Sequence, residues 1–126
     1  MKLGTNFSCQ DGVFLDSAHC YLISIGDDVN FAPNVRLIAH DASTKRFLGY
    51  TRIGKISIGD HCFLGDGVTV LPGVTIGDRC IIGAGSVVTK SIPENSVAVG
   101  IPAKVISTTD EYLDKIHRGL VRSFDL

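Results

Sequence analysis

The stretch IGDHCFLGDGVTVLPGVTIGDRCIIGAGSVVTKSIP, residues 58–93, decides the fold because it divides without a gap into six units of six residues. The first position of each unit is a branched aliphatic residue, and the fifth position is mostly small or β-branched. The first positions are Ile58, Leu64, Val70, Ile76, Ile82 and Val88. The fifth positions are Cys62, Val68, Val74, Cys80, Ser86 and Ile92.

A period of six residues fits neither a helix, whose apolar positions recur every 3.6 residues, nor the longer alternation of a flat-sheet strand. It is typical of a triangular solenoid in which each face is a short strand and each corner a tight turn. Three units then make one coil of eighteen residues, and neighbouring coils stack about 4.8 Å apart. The register predicts stacked pairs inside the tube: Ile58 with Ile76, Leu64 with Ile82, Val70 with Val88, and Cys62 with Cys80.

The period is interrupted upstream of this stretch. The units IGDDVN, FAPNVR and LIAHDA run in phase from Ile25 to Ala42, and Ile25 lies 33 residues before Ile58, which is one coil plus fifteen residues. The segment STKRFLGYTRIGKIS, residues 43–57, has that length and is predicted to be a loop inserted into the solenoid. Loops on rigid scaffolds often carry functional residues. Near the start of the chain, His19 occupies a position where an aliphatic residue belongs, which predicts a distorted coil or a bulged corner.

The C-terminal part leaves the period. ENSVAVGIPAKVI, residues 94–106, predicts a proline-marked loop and a final strand. A helix is predicted after it, with Thr109 or Asp110 as its N-cap. The apolar face of that helix consists of Tyr112, Leu113, Ile116 and Leu120. We therefore expect a β-helix domain over residues 1–107 and a C-terminal helix and tail over residues 108–126.

The composition limits the classes of function. The 126 residues suit one domain, and a net charge of −1 gives no general attraction to nucleic acid or to a membrane surface. No apolar stretch has the length of a signal peptide or of a membrane span. The four cysteines form no CxxC pair, which suits a reducing compartment. We expect a cytoplasmic protein that binds neither nucleic acid nor membrane.

The hexads, together with LPGVTIGD (71–78), IGAGSVVTKSIP (82–93) and VGIPAKVI (99–106), resemble the hexapeptide-repeat acetyltransferases. The resemblance extends from about Phe14 to Ile106 and is strongest to small enzymes that acetylate maltose, galactosides, other sugars or polysaccharides. It implies an all-β, left-handed parallel β-helix with a protruding loop and a short C-terminal α-helix. It also implies a homotrimer with active sites between subunits, and transfer of an acetyl group from acetyl-CoA directly to a hydroxyl of a sugar or polysaccharide-precursor acceptor.

The resemblance also implies roles for single residues. His40, in LIAH, matches the catalytic histidine, which as a general base takes the proton of the attacking hydroxyl. Asp41 beside it could orient the imidazole, contact the acceptor, or only cap the turn. Asp16 and Tyr50 are candidates for contacts with the acceptor. Contacts with the acetyl-CoA donor are implied for Asp66, Ala84, Thr89, Lys90 and Lys104.

Two other interpretations of the sequence stay open. A carbonic-anhydrase-like zinc protein of the same fold needs three histidines around an open metal position, and the chain has no HxxxxH pattern. We therefore expect no metal, and we expect His61 and His117 to be surface residues. A non-catalytic β-helix that serves as a scaffold is the second alternative, and it predicts no binding of acetyl-CoA.

Overall fold

A computed structural model describes residues 1–119, which wind into a three-sided solenoid of parallel strands. The first coil contains β1 (Lys2–Leu3), β2 (Ser8–Cys9) and β3 (Phe14–Leu15). After a 3₁₀ turn (Cys20–Leu22), the second coil contains β4 (Ile23–Ile25), β5 (Asn30–Phe31) and β6 (Arg36–Leu37). An insertion of β7 (His40–Asp41), α1 (Lys45–Leu48) and β8 (Arg52–Ile53) follows.

The regular part of the chain forms two further coils and a closing structure. The third coil contains β9 (Ile56–Ile58), β10 (Phe63–Leu64) and β11 (Thr69–Val70). The fourth contains β12 (Thr75–Ile76), β13 (Ile81–Ile82) and β14 (Val87–Val88). The chain then forms β15 (Ser96–Gly100), β16 (Ala103–Thr108) and α2 (Thr109–Gly119). No helix within residues 1–119 is long and apolar enough to cross a membrane.

The predicted eighteen-residue register is confirmed in the regular coils. The parallel pairs are Ile58 with Ile76, Leu64 with Ile82, and Val70 with Val88. All six side chains are buried, because alternate residues of a strand face the inside of the tube. The fifteen-residue excess is confirmed as well, since Ile25 pairs with Ile58 across it.

The two stacked cysteines belong to the core. The Cys62 thiol donates to the Gly77 carbonyl at 3.1 Å, and the Cys80 thiol donates to the Pro93 carbonyl at 3.0 Å. A hydrogen bond with Cys80 and burial both raise the pKa of the Cys62 thiol. This thiol is therefore a neutral core group, and not a nucleophile.

All changes in coil length occur at one corner, the corner that follows the third strand of each coil. At the other two corners, which we call the constant corners, paired inward positions stay six residues apart in every coil. We call the exception the variable corner, and it consists of residues 16–22, 38–55, 71–74 and 89–91. Across it the intervals are ten residues from Leu15 to Ile25, 21 from Leu37 to Ile58, six from Val70 to Ile76, and four from Val88 to Ile92.

One position differs from the predicted register. Ile92, predicted at a fifth position, forms a parallel bridge with Ile76 and therefore occupies a first position. A strict count would place Glu94 in this buried row, where a carboxylate without a partner is costly. The last turn is two residues shorter, which puts the aliphatic side chain in the core instead.

The insertion is an ordered hairpin. β7 pairs with β8 in antiparallel fashion, with His40 opposite Ile53. It begins three residues before the predicted loop 43–57, and Ile56 already belongs to β9, where it pairs with Ile23. The bulge predicted around His19 is present as the 3₁₀ turn that follows this residue.

The C-terminal elements close one end of the solenoid. β15 joins the sheet beside β13, and β16 returns antiparallel to it. The N-cap of α2 is Thr108, whose Oγ1 accepts the Glu111 N–H at 3.1 Å, so the prediction of Thr109 or Asp110 was wrong by one or two residues. The Thr109 hydroxyl does not cap the helix, because it donates to the Arg79 carbonyl at 2.6 Å. Leu120 of the predicted apolar face lies outside the described residues.

Candidate functional site

The site lies at the variable corner, where the extra residues of the first two coils meet. Asp16 directly follows β3, and His40 comes soon after β6. Because Leu15 and Leu37 are paired neighbours in these strands, the segments that follow them leave the sheet side by side. Two residues that are 24 positions apart in sequence are thereby brought into contact.

Asp16 is the buried centre of the site, with 1% of its side chain exposed. Its Oδ2 accepts the Ala39 backbone N–H at 2.8 Å and lies 2.6 Å from Nδ1 of His40. Burial alone would raise the pKa of Asp16, but the hydrogen bonds from His40 and Ala39 outweigh it, and the pKa lies below its ordinary value. The carboxylate is therefore ionised at neutral pH and holds a proton on Nδ1 of His40.

His40 is held at its backbone and at one of its two ring nitrogens. The β7–β8 pairing fixes its backbone, and Asp16 fixes the orientation of its ring. Since Nδ1 donates to Asp16, Nε2 of the neutral ring carries the free lone pair. The side chain is 36% exposed, so part of the ring is open to solvent. A buried carboxylate that fixes the tautomer and stabilises the imidazolium suits a general base.

A second imidazole lies beside the first. The His19 and His40 ring centroids are 4.8 Å apart, with the ring planes inclined by 30°. Nδ1 of His19 lies 3.5 Å from Oδ1 of Asp16, and it is buried without a hydrogen-bond partner among residues 1–119. The carboxylate of Asp16 thus faces one imidazole on each of its oxygens.

Asp16, His19 and His40 offer ligand atoms that lie within 4.8 Å of one another, as a metal site requires. Two ligands of one tetrahedral zinc, at bond lengths of about 2.0–2.1 Å, are about 3.3 Å apart. The 2.6 Å separation of Asp16 and His40 is shorter than that and has the length of a charge-assisted hydrogen bond. The geometry therefore favours a proton between these two groups.

The contacts of the Asp41 carboxylate are made within the insertion. Its Oδ1 accepts the Ser43 N–H at 2.9 Å, and its Oδ2 lies 3.7 Å from the Arg52 guanidinium. Hydrogen bonding to Ser43 is the main reason why the pKa of Asp41 lies below its ordinary value. Of its three predicted roles, these contacts correspond to capping the turn. Tyr50 lies on the hairpin of the insertion with an exposed side chain.

The residues implied for donor binding lie in three places. Asp66 and Ala84 are in stacked turns of a constant corner, where they help to line a shallow cavity of 470 Å³. This corner and the site of His40 are at opposite ends of the strands β6, β11 and β14. Thr89 and Lys90 directly follow β14 at the variable corner, and Lys104 is exposed in β16. One chain therefore does not bring all of these residues to His40.

Comparisons with known proteins agree with this architecture. The family model described as bacterial transferase hexapeptide (six repeats) matches residues 55–90. Galactoside O-acetyltransferase of Escherichia coli K12 is 46% identical over 89 residues, which are 68% of this chain and 44% of that enzyme. The chain spans about half the length of the curated relatives that it matches.

Two solved structures are similar over most of the chain. A maltose O-acetyltransferase from Clostridium difficile 630 is 32% identical, with a TM-score of 0.69, over 85% of this chain and 68% of that one. The hexapeptide-repeat-containing acetyltransferase VCA0836 of Vibrio cholerae, solved as a complex with acetyl coenzyme A, is 27% identical with a TM-score of 0.68. That match covers 85% of this chain and 70% of the other.

Proposed function

Because the chain belongs to the hexapeptide-repeat acetyltransferase family, we propose that it transfers an acetyl group from acetyl-CoA directly to a hydroxyl of a sugar or polysaccharide-precursor acceptor. His40 is the general base of this reaction. The Asp16–His40 pair carries the proposal, because a buried carboxylate 2.6 Å from Nδ1 leaves Nε2 of a partly exposed ring as the proton acceptor. A thioester is already activated, so a base and correct positioning supply most of what the reaction needs.

In the proposed step, the acceptor hydroxyl attacks the carbonyl carbon of the thioester while Nε2 of His40 takes its proton. The carbon–sulfur bond then breaks, and CoA leaves as a thiol after the proton returns from Nε2 to sulfur. The positive charge that His40 carries between these events is stabilised by the ionised Asp16. No covalent acyl-enzyme is required, and both core cysteines, Cys62 and Cys80, are buried away from the site.

The donor site is proposed to extend from the constant corner that carries Asp66 and Ala84 to the variable corner of a neighbouring subunit, with Thr89 beside the pantetheine arm and Lys90 and Lys104 near the phosphates. Since this constant corner is remote from His40 in one chain, a neighbouring subunit completes the site. We propose a homotrimer with active sites between subunits, and a left-handed sense for the winding of the solenoid.

The insertion supports such an assembly. Phe47 is 87% exposed, and Leu48, Tyr50 and Ile53 are also exposed. Large apolar side chains that project together from a hairpin are typical of a contact with another protein surface. Tyr50 would then stand near an acceptor bound between two subunits.

The proposed activity is tested by the release of free thiol from acetyl-CoA over a panel of mono- and oligosaccharides. We expect release that depends on the acceptor, and a product that is heavier by one acetyl group in the mass spectrum. The variant His40→Asn tests the base. A protein that binds no acetyl-CoA and acetylates no acceptor would contradict the proposal and favour the scaffold.

A zinc protein is the second candidate, because Asp16, His19 and His40 are clustered. His61, which could have supplied a third imidazole, lies at a constant corner with its Nδ1 3.5 Å from Asp28. The metal content of the purified protein separates the two candidates. We expect substoichiometric zinc, whereas one tightly bound zinc per chain together with hydration of carbon dioxide would overturn the transferase.

A further inference from the structure

A small depression beside the candidate site is lined by two lysines. It has a volume of 160 Å³ and lies at the N-terminal ends of the neighbouring strands β1, β4 and β9, next to the variable corner. Its polar side chains come from three successive coils: Lys2 from β1, Tyr21 and Ser24 from the second coil, and Lys55 from the residue before β9. The volume equals that of about five water molecules, which suits a small ion better than a nucleotide.

The polar side chains that line this depression are all potential hydrogen-bond donors. Two ammonium groups and two hydroxyls line it, together with Leu22 and Ile23, and no carboxylate does. Ser24 faces outward because Ile23 and Ile25 on either side of it face the core. The ion pairs among residues 1–119 use only arginine and histidine as cations, so Lys2 and Lys55 have no acidic partner in this part of the chain. Such a donor set matches a tetrahedral oxyanion such as phosphate.

The depression is close to the proposed base. The ring centroid of Tyr21, one of its lining residues, lies 6.2 Å from that of His19. The His19 ring in turn lies 4.8 Å from the His40 ring. The depression and the base are therefore connected through neighbouring rings, as binding of one phosphorylated sugar across both would require.

We propose that this depression binds a phosphate group carried by the acceptor, while His40 deprotonates a hydroxyl of the same sugar. The inference rests on the proposed function and narrows the acceptor to a phosphorylated sugar. Lys2 and Lys55 determine specificity here, and they take no part in the proton transfer. The phosphates of CoA have the same chemistry, so the experiment must distinguish the two sources.

The first part of the experiment measures binding without catalysis. Inorganic phosphate is titrated into the ¹⁵N-labelled protein, and the amide shifts of Lys2, Ser24 and Lys55 are followed. We expect saturable shifts at these three residues and an affinity at least tenfold lower, as the loss of charge-assisted bonds implies, in the double variant Lys2→Met/Lys55→Met. The matched control is Lys115→Met on α2, which should bind phosphate like the wild type. The absence of local shifts, or equal affinity in the double variant, would overturn the site.

The second part compares each sugar with its phosphorylated form as the acceptor. In Lys2→Met/Lys55→Met, we expect KM to rise at least tenfold for hexose phosphates and to stay within about twofold for plain hexoses and for acetyl-CoA. A rise in KM for acetyl-CoA alone would assign the anion to the donor and refute the proposal.

The experiments distinguish a failure of the proposed acetyltransferase function from a failure of the proposed phosphate site. If His40→Asn abolishes transfer but the wild type uses plain and phosphorylated acceptors equally, the transferase stands and the phosphate-bearing acceptor is refuted. If phosphate binds at Lys2 and Lys55 but no acceptor is acetylated, the anion site stands and the proposed function is refuted.

Discussion

The constant corners and the variable corner connect the strands of the same coils, but they differ in their hydrogen bonds and in the length of their segments. At one constant corner, aspartate side chains tie each coil to the one before it. Asp78 Oδ1 accepts the Asp60 N–H, Asp60 Oδ1 accepts the Asp27 N–H, and Asp27 Oδ1 accepts the Thr5 N–H, at 2.7, 2.7 and 2.8 Å. At the variable corner, the excess over the six-residue interval is four, fifteen, zero and minus two residues. The comparison teaches that paired aliphatic strands keep the coils in register, so one corner is free to carry the residues of a site.

The largest effect is expected at the variable corner. His40→Asn removes the proposed base, and we expect the rate of acetyl transfer to fall about 10²- to 10⁴-fold. The matched control is His61→Asn at a constant corner, because His61 likewise has an aspartate neighbour, Asp28 at 3.5 Å, and its φ of 56° suits asparagine. The control should keep the rate within about twofold. Thiol release from acetyl-CoA measures both, and a wild-type rate in His40→Asn would remove the assignment.

The next largest effect is a loss of stability, which we expect when a core side chain of the third and fourth coils is shortened. Ile76 is fully buried between Ile58 and Ile92, so Ile76→Ala should lower the free energy of unfolding by about 2–5 kcal/mol. Thr75→Ala, an exposed neighbour on the same strand, should change it by about 0.5 kcal/mol or less. Urea denaturation measures both values. Because the site is elsewhere, kcat/KM of folded Ile76→Ala should match the wild type, and a loss as large as that of His40→Asn would contradict the separation of scaffold and site.

A smaller effect is expected for the partner of the base. Asp16→Asn keeps the size of the side chain but removes its charge, and a charge-assisted hydrogen bond is worth about 1.5–3 kcal/mol. The rate of transfer should therefore fall about 10- to 100-fold. Asp28→Asn, which changes the carboxylate beside His61, is the control and should leave the rate within about twofold. Equal rates in the two variants would show that Asp16 has no special role.

The smallest effect on stability is expected from the hydrogen bonds that Asp27, Asp60 and Asp78 accept from the preceding coils. Asp78→Ala removes the acceptor of the Asp60 N–H, which should lower the free energy of unfolding by about 0.5–1.5 kcal/mol and leave the rate of transfer unchanged. Thermal and urea denaturation would detect this change. A loss of stability as large as that of Ile76→Ala would mean that these aspartate hydrogen bonds, and not the paired aliphatic side chains, hold the coils in register.

The regular coils could be predicted from sequence because each residue's neighbour lies a fixed eighteen positions away, as with Ile58 and Ile76. The position of Ile92 was predicted wrongly, because burial of an aliphatic side chain outweighs a strict six-residue period. His40 was predicted as the base from its motif, but its contact with Asp16 was not predicted. Asp41 was the adjacent carboxylate in sequence, yet neighbours on a strand point to opposite sides.

The pairing of Asp16 with His40 depends on the alignment of Leu15 with Leu37, across an excess of four residues that no periodic pattern reveals. The antiparallel pairing of His40 with Ile53, which makes the insertion a hairpin, could not be predicted either, because it also lies outside the periodic pattern. Irregular segments are arranged by contacts between distant residues. Their conformation therefore could not be predicted from local sequence, although their position could.

The claim that Asp16 acts through His40 is tested most directly by a double-mutant cycle of acetyl-transfer rates. The four proteins are the wild type, Asp16→Asn, His40→Asn and the double variant, all measured by thiol release with one acceptor. We predict that Asp16→Asn slows the wild type about 10- to 100-fold but slows His40→Asn by less than about twofold, since its effect needs the imidazole. Equal slowing in both backgrounds would contradict the pairing of these two residues as one catalytic unit.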